Sequence, residues 1–437
     1  MPLANPQPTV HVPDDFTAAG ENTLPDRWWE AFGDPALNAL VERGLANNPG
    51  LLATWYRLDQ ARAAARGAGS DRYPSLSASA GLSGSARHGS DPSGSLSLGL
   101  SASYEVDLWG RVEASIDAAE LEAEATELDL RAAAISLSAQ IASTWYQLVV
   151  RHAEHELLLE QLALAEQTMA LAQQRYDRGL DARSDLLSQQ QNLESLHAEL
   201  RAAEGSAELL EHALAVLLGE PPTVAVAPAV SELAGLPGLP AAGVPSELLQ
   251  RRPDVAAVWL RVQAADRNVG AAIAAQYPRL SLSAGLSTSL TISTQTLVGW
   301  AVNLAANLVA PLFDGGKLEA DIDQARARLH AAVQGYAETV LAALADVENA
   351  LTSEANARAA LESVDRQLEL ARELLTQVEQ SYAAGLTDYL RVLDALRSLQ
   401  SLGSRRLQIQ AELLQNRITL CRALAGSWTL ERPEAAR

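Results

Sequence analysis

Two stretches of this chain are near-copies of each other, about 205 residues apart, and each couples a short alternating hairpin to a very long run without proline. The first begins at Asn48-Pro49 and passes through Trp55, Tyr73-Pro74-Ser75-Leu76-Ser77 and Gly81-Leu82-Ser83. The second begins at Arg252-Pro253 and passes through Trp259, Tyr277-Pro278-Arg279-Leu280-Ser281 and Gly285-Leu286-Ser287. Further on, Tyr176-x-x-Gly179-Leu180 is echoed by Tyr382-x-x-Gly385-Leu386. A duplicated unit packs against its own copy, so internal pseudo-symmetry restricts the folds open to the chain. Each copy is too large for one solenoid repeat, and duplication of a whole hairpin-plus-helices unit fits better.

Prolines map the boundaries. They crowd the first 50 residues, recur at Pro74, Pro92 and Pro221-Pro222, and are absent from 93–220 and 312–432. An interior proline costs a helix about 3 kcal/mol, so these two gaps are free to be helical. Within them Leu158, Leu162, Ala165, Met169, Ala172 and Tyr176 are spaced as a heptad, and Val364, Leu368, Ala371, Leu375, Val378 and Tyr382 repeat the spacing 206 residues later. That period keeps one seam on a partner helix, as in a left-handed coiled coil. Helices from Arg111 to Arg178 and from Lys317 to Ala384 would each be roughly 100 Å long at 1.5 Å per residue. Gly179 and Gly385 end them, and second helices return over about 184–218 and 388–425.

The other end of each long helix alternates with period two. Leu76, Ala78, Ala80 and Leu82 alternate with Ser75, Ser77, Ser79 and Gly81; Leu96, Leu98, Leu100 and Ala102 alternate with serines and Gly99. Leu280 to Leu286 and Trp300 to Leu308 do the same in the second copy. Strands of about 10 residues, apolar on one face and small and polar on the other, are the pattern of a membrane β-barrel with a wet lumen. Tyr73, Tyr104, Trp109, Tyr277 and Phe313 fall near the helix-side ends, where an interfacial girdle belongs. Four strands do not close around water, and open edges are not tolerated in lipid. The chain therefore contributes four strands to a barrel shared by identical subunits, two of which would give eight strands and three twelve. The expected division is an extended N-terminal segment over 1–36, a first repeat over 37–218 (hairpin about 75–106, tip 178–181), a linker over 219–247, a second repeat over 248–426 (hairpin about 279–309, tip 384–387) and a tail over 427–437.

Composition excludes several other classes. The net charge is −21, from 54 acidic and 33 basic side chains, which argues against a nucleic-acid partner. Cys421 stands alone, so no intrachain disulfide forms, and a small buried residue near a helix end is expected there. No apolar run is long enough for a membrane-spanning helix. His152 and His155, beside Glu154 and Glu156, read as a solvated helix face, since no third ligand follows at characteristic spacing. Two methionines do not support a soft-metal relay, and no nucleophile elbow, phosphate loop or zinc motif appears, so no catalysis, cofactor or metal is expected.

Taken together, Tyr104-Glu105-Val106-Asp107-Leu108-Trp109-Gly110-Arg111, Ala310-Pro311-Leu312-Phe313-Asp314-Gly315-Gly316-Lys317, Arg251-Arg252-Pro253-Asp254 and the two tips resemble the TolC family of outer-membrane efflux channels, in its OprM- and NodT-like lipoprotein branch. The match runs from Trp28-Trp29-Glu30 to about Trp428. The resemblance implies a mixed α/β membrane protein: a homotrimer with a shared 12-stranded β-barrel in the outer membrane of a Gram-negative bacterium, a coiled-coil α-barrel in the periplasm, and a belt built from linker and termini. It also implies a periplasmic adaptor and an inner-membrane pump of the proton-driven RND type as partners, with the chain serving as the passive exit duct for drugs or other small molecules.

The tips Arg178, Gly179, Leu180, Ala384, Gly385 and Leu386 resemble the family's adaptor-contacting turns. Leu390, Asp394 and Arg397 occupy the positions of the periplasmic gate, and Ser184, Asp185 and Tyr382 those of residues that lock it. Without the resemblance, Asp394 and Arg397 read as an ordinary i,i+3 surface pair. Arg391 stands where other members carry an additional acidic residue, and Thr387 where the TolC branch carries an arginine. The lipoprotein branch begins its mature chain with an acylated cysteine; no cysteine precedes Asn5, and Met1 is read as a replacement or added start with the lipid site absent. Two alternatives stand beside the efflux reading: the outer channel of a type I protein secretion system, and a soluble coiled-coil scaffold.

Overall fold

The computed structural model describes residues 11–17, 20, 24–86, 88, 93–223, 235–291, 296–426, 428 and 430–433. In the first copy α1 (Pro35–Asn47) and α2 (Pro49–Gly69) precede β1 (Ser75–Ser85), β2 (Ser93–Val106), α3 (Arg111–Asp177) and α4 (Arg183–Leu217). In the second, α5 (Pro245–Arg251) and α6 (Pro253–Ala274) precede β3 (Arg279–Thr291), β4 (Thr296–Val309), α7 (Lys317–Ala383) and α8 (Tyr389–Leu424). The two long helices are 67 residues each, one residue short of the expected span. The chain divides into two units. One holds 56–129 and 254–340; the other holds 11–55, 130–253 and 341–437.

The first unit carries a single antiparallel sheet in the order β1-β2-β3-β4. Period-two alternation sorts its faces. Ser75 faces Ser103, Ser77 faces Ser101 and Ser83 faces Ser95 across β1 and β2, with hydroxyl-to-hydroxyl distances of 2.8, 2.7 and 2.8 Å. The Ser97 hydroxyl donates to the carbonyl of Gly81 (3.2 Å), and a Cβ on Gly81 would come within 2.9 Å of that hydroxyl. The opposite face is apolar, and Leu76, Leu82, Val302, Leu304 and Leu308 stand fully out from the protomer. The copies meet where β2 pairs with β3, from Ser95↔Thr291 to Val106↔Leu280. The strands run 11 to 14 residues, longer than the expected ten: β1 and β2 pair as far as Ser85↔Ser93 and β3 and β4 as far as Thr291↔Thr296, which leaves 86–92 and 292–295 as the connecting segments. Residues 87, 89–92 and 292–295 of those segments lie outside the described residues. A register shift between Ser287 and Ser289 marks a bulge against β4, which period-two reading alone does not reveal.

The motif residues at the strand-to-helix junctions act as caps. The Asp314 carboxylate accepts from the backbone N–H groups of Leu318 (2.8 Å) and Gly316 (3.0 Å), and these bonds hold it below the usual carboxylate range. Asp107 accepts from the N–H of Glu113 in the same way (2.9 Å). Each occupies the exposed-donor end of a helix, where negative charge is favoured. Gly110, Gly315 and Gly316 all have positive φ, which the turn demands. Trp109 stacks on Tyr277 with ring centroids 4.9 Å apart, and its indole N–H donates to the carbonyl of Pro278 (2.8 Å). In the same unit, Val262 and Val269 of α6 pack on Leu329 and Val333 of α7.

In the second unit the heptad seams close as expected. Leu158 and Ala165 of α3 bury against Leu196 and Ala203 of α4. Val364 and Leu368 of α7 bury against Ile409 and Leu413 of α8. The expected extended segment 1–36 departs from that form over Trp28–Phe32, a short 3-10 turn that buries Trp28, Trp29 and Phe32, and α1 already begins at Pro35. Asp34 caps α1 and also accepts from the Trp145 indole (2.8 Å). Trp29 meets Trp428 edge-on at 5.0 Å. Cys421 is buried near the end of α8, and burial pushes its thiol up to about 12.

The linker is held by a buried cation. Arg417 of α8 is fully enclosed; it pairs with the buried Glu354 of α7 and donates to the carbonyls of Pro237 and, at 2.7 Å, Gly238. Arg358 adds a second contact to Glu354 (2.9 Å). Within the expected linker 219–247, α5 starts at Pro245, and 224–234 lie outside the described residues.

Candidate functional site at the helical tips

Both long helices end in the same backbone device. At the first tip the N–H of Leu180 donates to the carbonyl of Arg175 (3.0 Å) and that of Gly179 to Tyr176 (2.8 Å); at the second, Leu386 donates to Ser381 (2.8 Å) and Gly385 to Tyr382 (3.0 Å). Gly179 and Gly385 sit at φ 72 and 74, the left-handed conformation this Schellman closure needs. The turn pushes the following leucine outward: Leu180 is 62% exposed and Leu386 82%. Arg178, Gly179, Ala384 and Gly385 are exposed beside them.

Just behind the tips the two helical hairpins are joined by polar contacts. Tyr382 and Tyr389 are buried with Val392, Leu393 and Leu396, their rings 5.7 Å apart and inclined at 61°. The Tyr382 hydroxyl donates to the Asp181 carboxylate. Arg175 donates to the same carboxylate from Nε (3.0 Å), reaches the Tyr382 carbonyl from Nη1 (3.4 Å) and lies 4.1 Å above the Tyr382 ring. The Tyr389 hydroxyl donates to Gln189 Oε1 (2.7 Å), and Gln189 Nε2 donates to the carbonyl of Ala165 (2.7 Å). Burial raises both phenols above their ordinary pKa, with the Asp181 charge adding to the effect on Tyr382. The Arg175 guanidinium is held still more firmly charged by its bond to Asp181.

Leu390, Asp394 and Arg397 lie at i, i+4 and i+7, one face of α8, and all three are exposed, while Tyr389, Val392, Leu393 and Leu396 are buried. Arg397 does not pair with Asp394; its Nε donates to Asn192 Oδ1 of α4 (3.4 Å). Ser184 bonds its neighbour Asp185 (3.4 Å). Tyr382 thus engages Asp181 and Arg175, not Ser184 or Asp185. Arg175, Asp181, Gln189 and Tyr389 were not singled out by sequence reading. One signal could have found three of them: Arg175 and Asp181 are charged where the positions 206 residues later are the uncharged Ser381 and Thr387, and Gln189 is polar where Ala395 is not.

The family model described as outer membrane efflux protein matches residues 40–220 and 244–426, one segment per repeat. The chain belongs to the outer membrane efflux protein family. This efflux channel is 33% identical to the pyoverdine export outer membrane protein OpmQ of Pseudomonas aeruginosa, over 97% of this chain and 92% of OpmQ. The solved structure of the outer-membrane channel OprN superimposes with a TM-score of 0.85 at 31% identity, covering 97% of this chain and 99% of that one. A solved structure of CusC gives a TM-score of 0.88 at 27% identity, over 98% and 100%.

The efflux channel is an outer-membrane protein of a Gram-negative bacterium with a long periplasmic helical barrel, and it serves as the outer duct of a tripartite pump with adaptor and inner-membrane partners. It assembles as a trimer, so four strands from each protomer make a 12-stranded barrel. That assembly accounts for the two outer strands, β1 and β4, which have no partner on their outer sides within the sheet. The soluble-scaffold alternative is thereby overturned.

Proposed function

We propose that the tips form the resting gate of the efflux channel at its periplasmic end. Leu390, Asp394 and Arg397 line the constriction, where three copies of each gather near the axis and present rings of charge. The Arg175–Asp181–Tyr382 contact, with Tyr389 on Gln189, holds the closed packing, and Ser184 and Asp185 flank it on the first tip. The observation that carries this reading is the enclosed bridge from Tyr382 to Asp181, which ties the second helical hairpin to the first at the end that must open.

The exposed leucines Leu180 and Leu386, with Arg178, Gly179, Ala384 and Gly385, take the adaptor. Adaptor binding favours the open packing and shifts the population toward it. The inner-membrane partner is a proton-driven pump of the RND type, and the channel itself does no chemistry. Its cargo is small molecules, which agrees with the naming of OpmQ for pyoverdine export. A soft-metal cargo is less well suited, because Met1 and Met169 are the only thioethers.

Single-channel recording in planar bilayers tests the gate. Asp394→Ala combined with Arg397→Ala raises the closed-state conductance of the trimer; an unchanged conductance refutes it.

A further inference from the structure

Next to the proposed gate, a polar cleft of about 490 Å³ opens between α4 and α8. Asn192, Ser195 and Glu199 line it from α4, and Arg397, Gln400 and Arg405 from α8. Asn192 is 6% exposed, and its Nδ2 has no hydrogen-bond partner although its Oδ1 is taken by Arg397. The Nε2 of Gln400 is likewise buried and unpartnered. An enclosed N–H left without an acceptor costs about 1–3 kcal/mol, and both belong to residues that line the cleft, so a rotation that turns either amide to the cleft and an acceptor there is favoured.

The charges agree on what that acceptor is. Arg397 and Arg405 are exposed along the same face of α8, and Arg397 commits only Nε to Asn192, which leaves its outer fork free. Glu199 is the opposing charge and accepts from Ser195 (3.3 Å). Two cations against one anion leave a surplus of one positive charge, in a protein whose net charge is −21. Guanidinium forks match carboxylates in geometry, and such bonds are about twice as strong as neutral ones. The volume also decides between ligands: it falls within the roughly 300–1,000 Å³ of small-molecule pockets and would leave a bare inorganic ion mostly surrounded by water.

We propose that this cleft is a binding site for a carboxylate-bearing small molecule, with the carboxylate held by Arg397 and Arg405 and by the amide N–H groups of Asn192 and Gln400 as they turn to meet it. Arg397 lies two helical turns beyond Leu390 on one face of α8, so the site sits in the conduit beside the gate. Its position in the conduit rests on the gate reading; the binding itself does not.

The test is calorimetric titration of the intact detergent-solubilised trimer at constant ionic strength, with citrate as the carboxylate probe and sulfate as the inorganic one. Citrate binds more tightly than sulfate. Asn192→Leu and Arg397→Gln each weaken citrate about tenfold, whereas Glu199→Gln tightens it several-fold by removing the competing carboxylate. The opposite sign of the last variant separates the proposal from misfolding, since a damaged protein does not gain affinity. No heat with wild-type protein, equal affinity for citrate and sulfate, or a Glu199→Gln variant no tighter than wild type overturns the site. Conductance of the same sample without citrate reports on the channel reading separately, so the two can fail independently.

Discussion

The phenol of Tyr382 donates its hydrogen bond to the carboxylate of Asp181, a residue 201 positions earlier on the other tip. Arg175 lies over the same ring and on the same carboxylate, so three side chains hold the ends of two helical hairpins together.

Removing the hydroxyl alone is the mildest perturbation. Tyr382→Phe keeps the ring beneath Arg175 and the Arg175–Asp181 pair, and it costs about 1.5–2 kcal/mol, the lower range for one hydrogen bond to a charged group. Asp181→Ala leaves the mostly enclosed Arg175 without its carboxylate and costs about 3 kcal/mol or more. Open probability in planar bilayers should therefore rise in the order wild type, Tyr382→Phe, Asp181→Ala. Equal open probability in all three would detach this network from gating.

Buried phenols, Tyr382 and Tyr389 at the tips and Tyr146 of α3, give the helical unit an alkaline limit. Their folded pKa values lie above that of an unfolded tyrosine, about 10. The stability they contribute is therefore fully present below pH 10 and is lost as pH rises from there through the folded values, because the unfolded chain ionises first. Thermal melts of the trimer between pH 9 and 11.5 should show Tm falling above pH 10. In the double variant Tyr382→Phe, Tyr389→Phe the slope is shallower.

Arg417 should be intolerant even of conservative change. Arg417→Met leaves the buried Glu354 with Arg358 alone and strips the Pro237 and Gly238 carbonyls of their donor, a loss of about 3–5 kcal/mol. Arg417→Lys recovers little, since an ammonium lacks the fork that reaches both the carboxylate and the linker. The measurement is the temperature at which the trimer dissociates in detergent.

Cys421 should not react with Ellman's reagent at pH 8 in the folded trimer and should react fully once denatured. Burial holds its thiol near pKa 12, far from the thiolate form.

The β1 and β4 edges should be cross-linkable. A scan of cysteine pairs, one between 76 and 84 and one between 300 and 308, in a Cys421→Ser background, should give covalent trimers on denaturing gels for pairs in register. Dimers as the limiting product at every pair would contradict the shared barrel.

Much of this architecture is legible before any coordinates. Period-two serine and leucine announced the strands, heptads the helices, and Gly179 and Gly385 the tips, because each signal is local and repeated in both copies. The face of α8 proposed as the gate, Leu390, Asp394 and Arg397, was legible only through family resemblance. The bridge from Asp181 to Tyr382, the hold of Arg417 on the linker and the bulge opposite Ser287 were not legible. Each depends on which residues meet across about 200 positions, or on a one-residue slip, and neither has a local signature. Positions where the copies differ in charge or polarity, Arg175 against Ser381 and Asp181 against Thr387, were the available clue.

The β2–β3 seam between the duplicated halves bears on history as well as on closure. An unfused ancestor carrying a single hairpin would need six subunits to complete the same ring, and every joint in that ring would be alike. With both copies in one chain the ring has three-fold symmetry, and equivalent positions of the two copies are free to differ. Tyr176 and Tyr382 descend from one residue, yet it is Tyr382 that meets Asp181. In a ring of identical hairpins every joint would carry the same contact; here Thr387 stands in the second copy where Asp181 stands in the first, so the carboxylate that takes the phenol is present at one kind of joint alone.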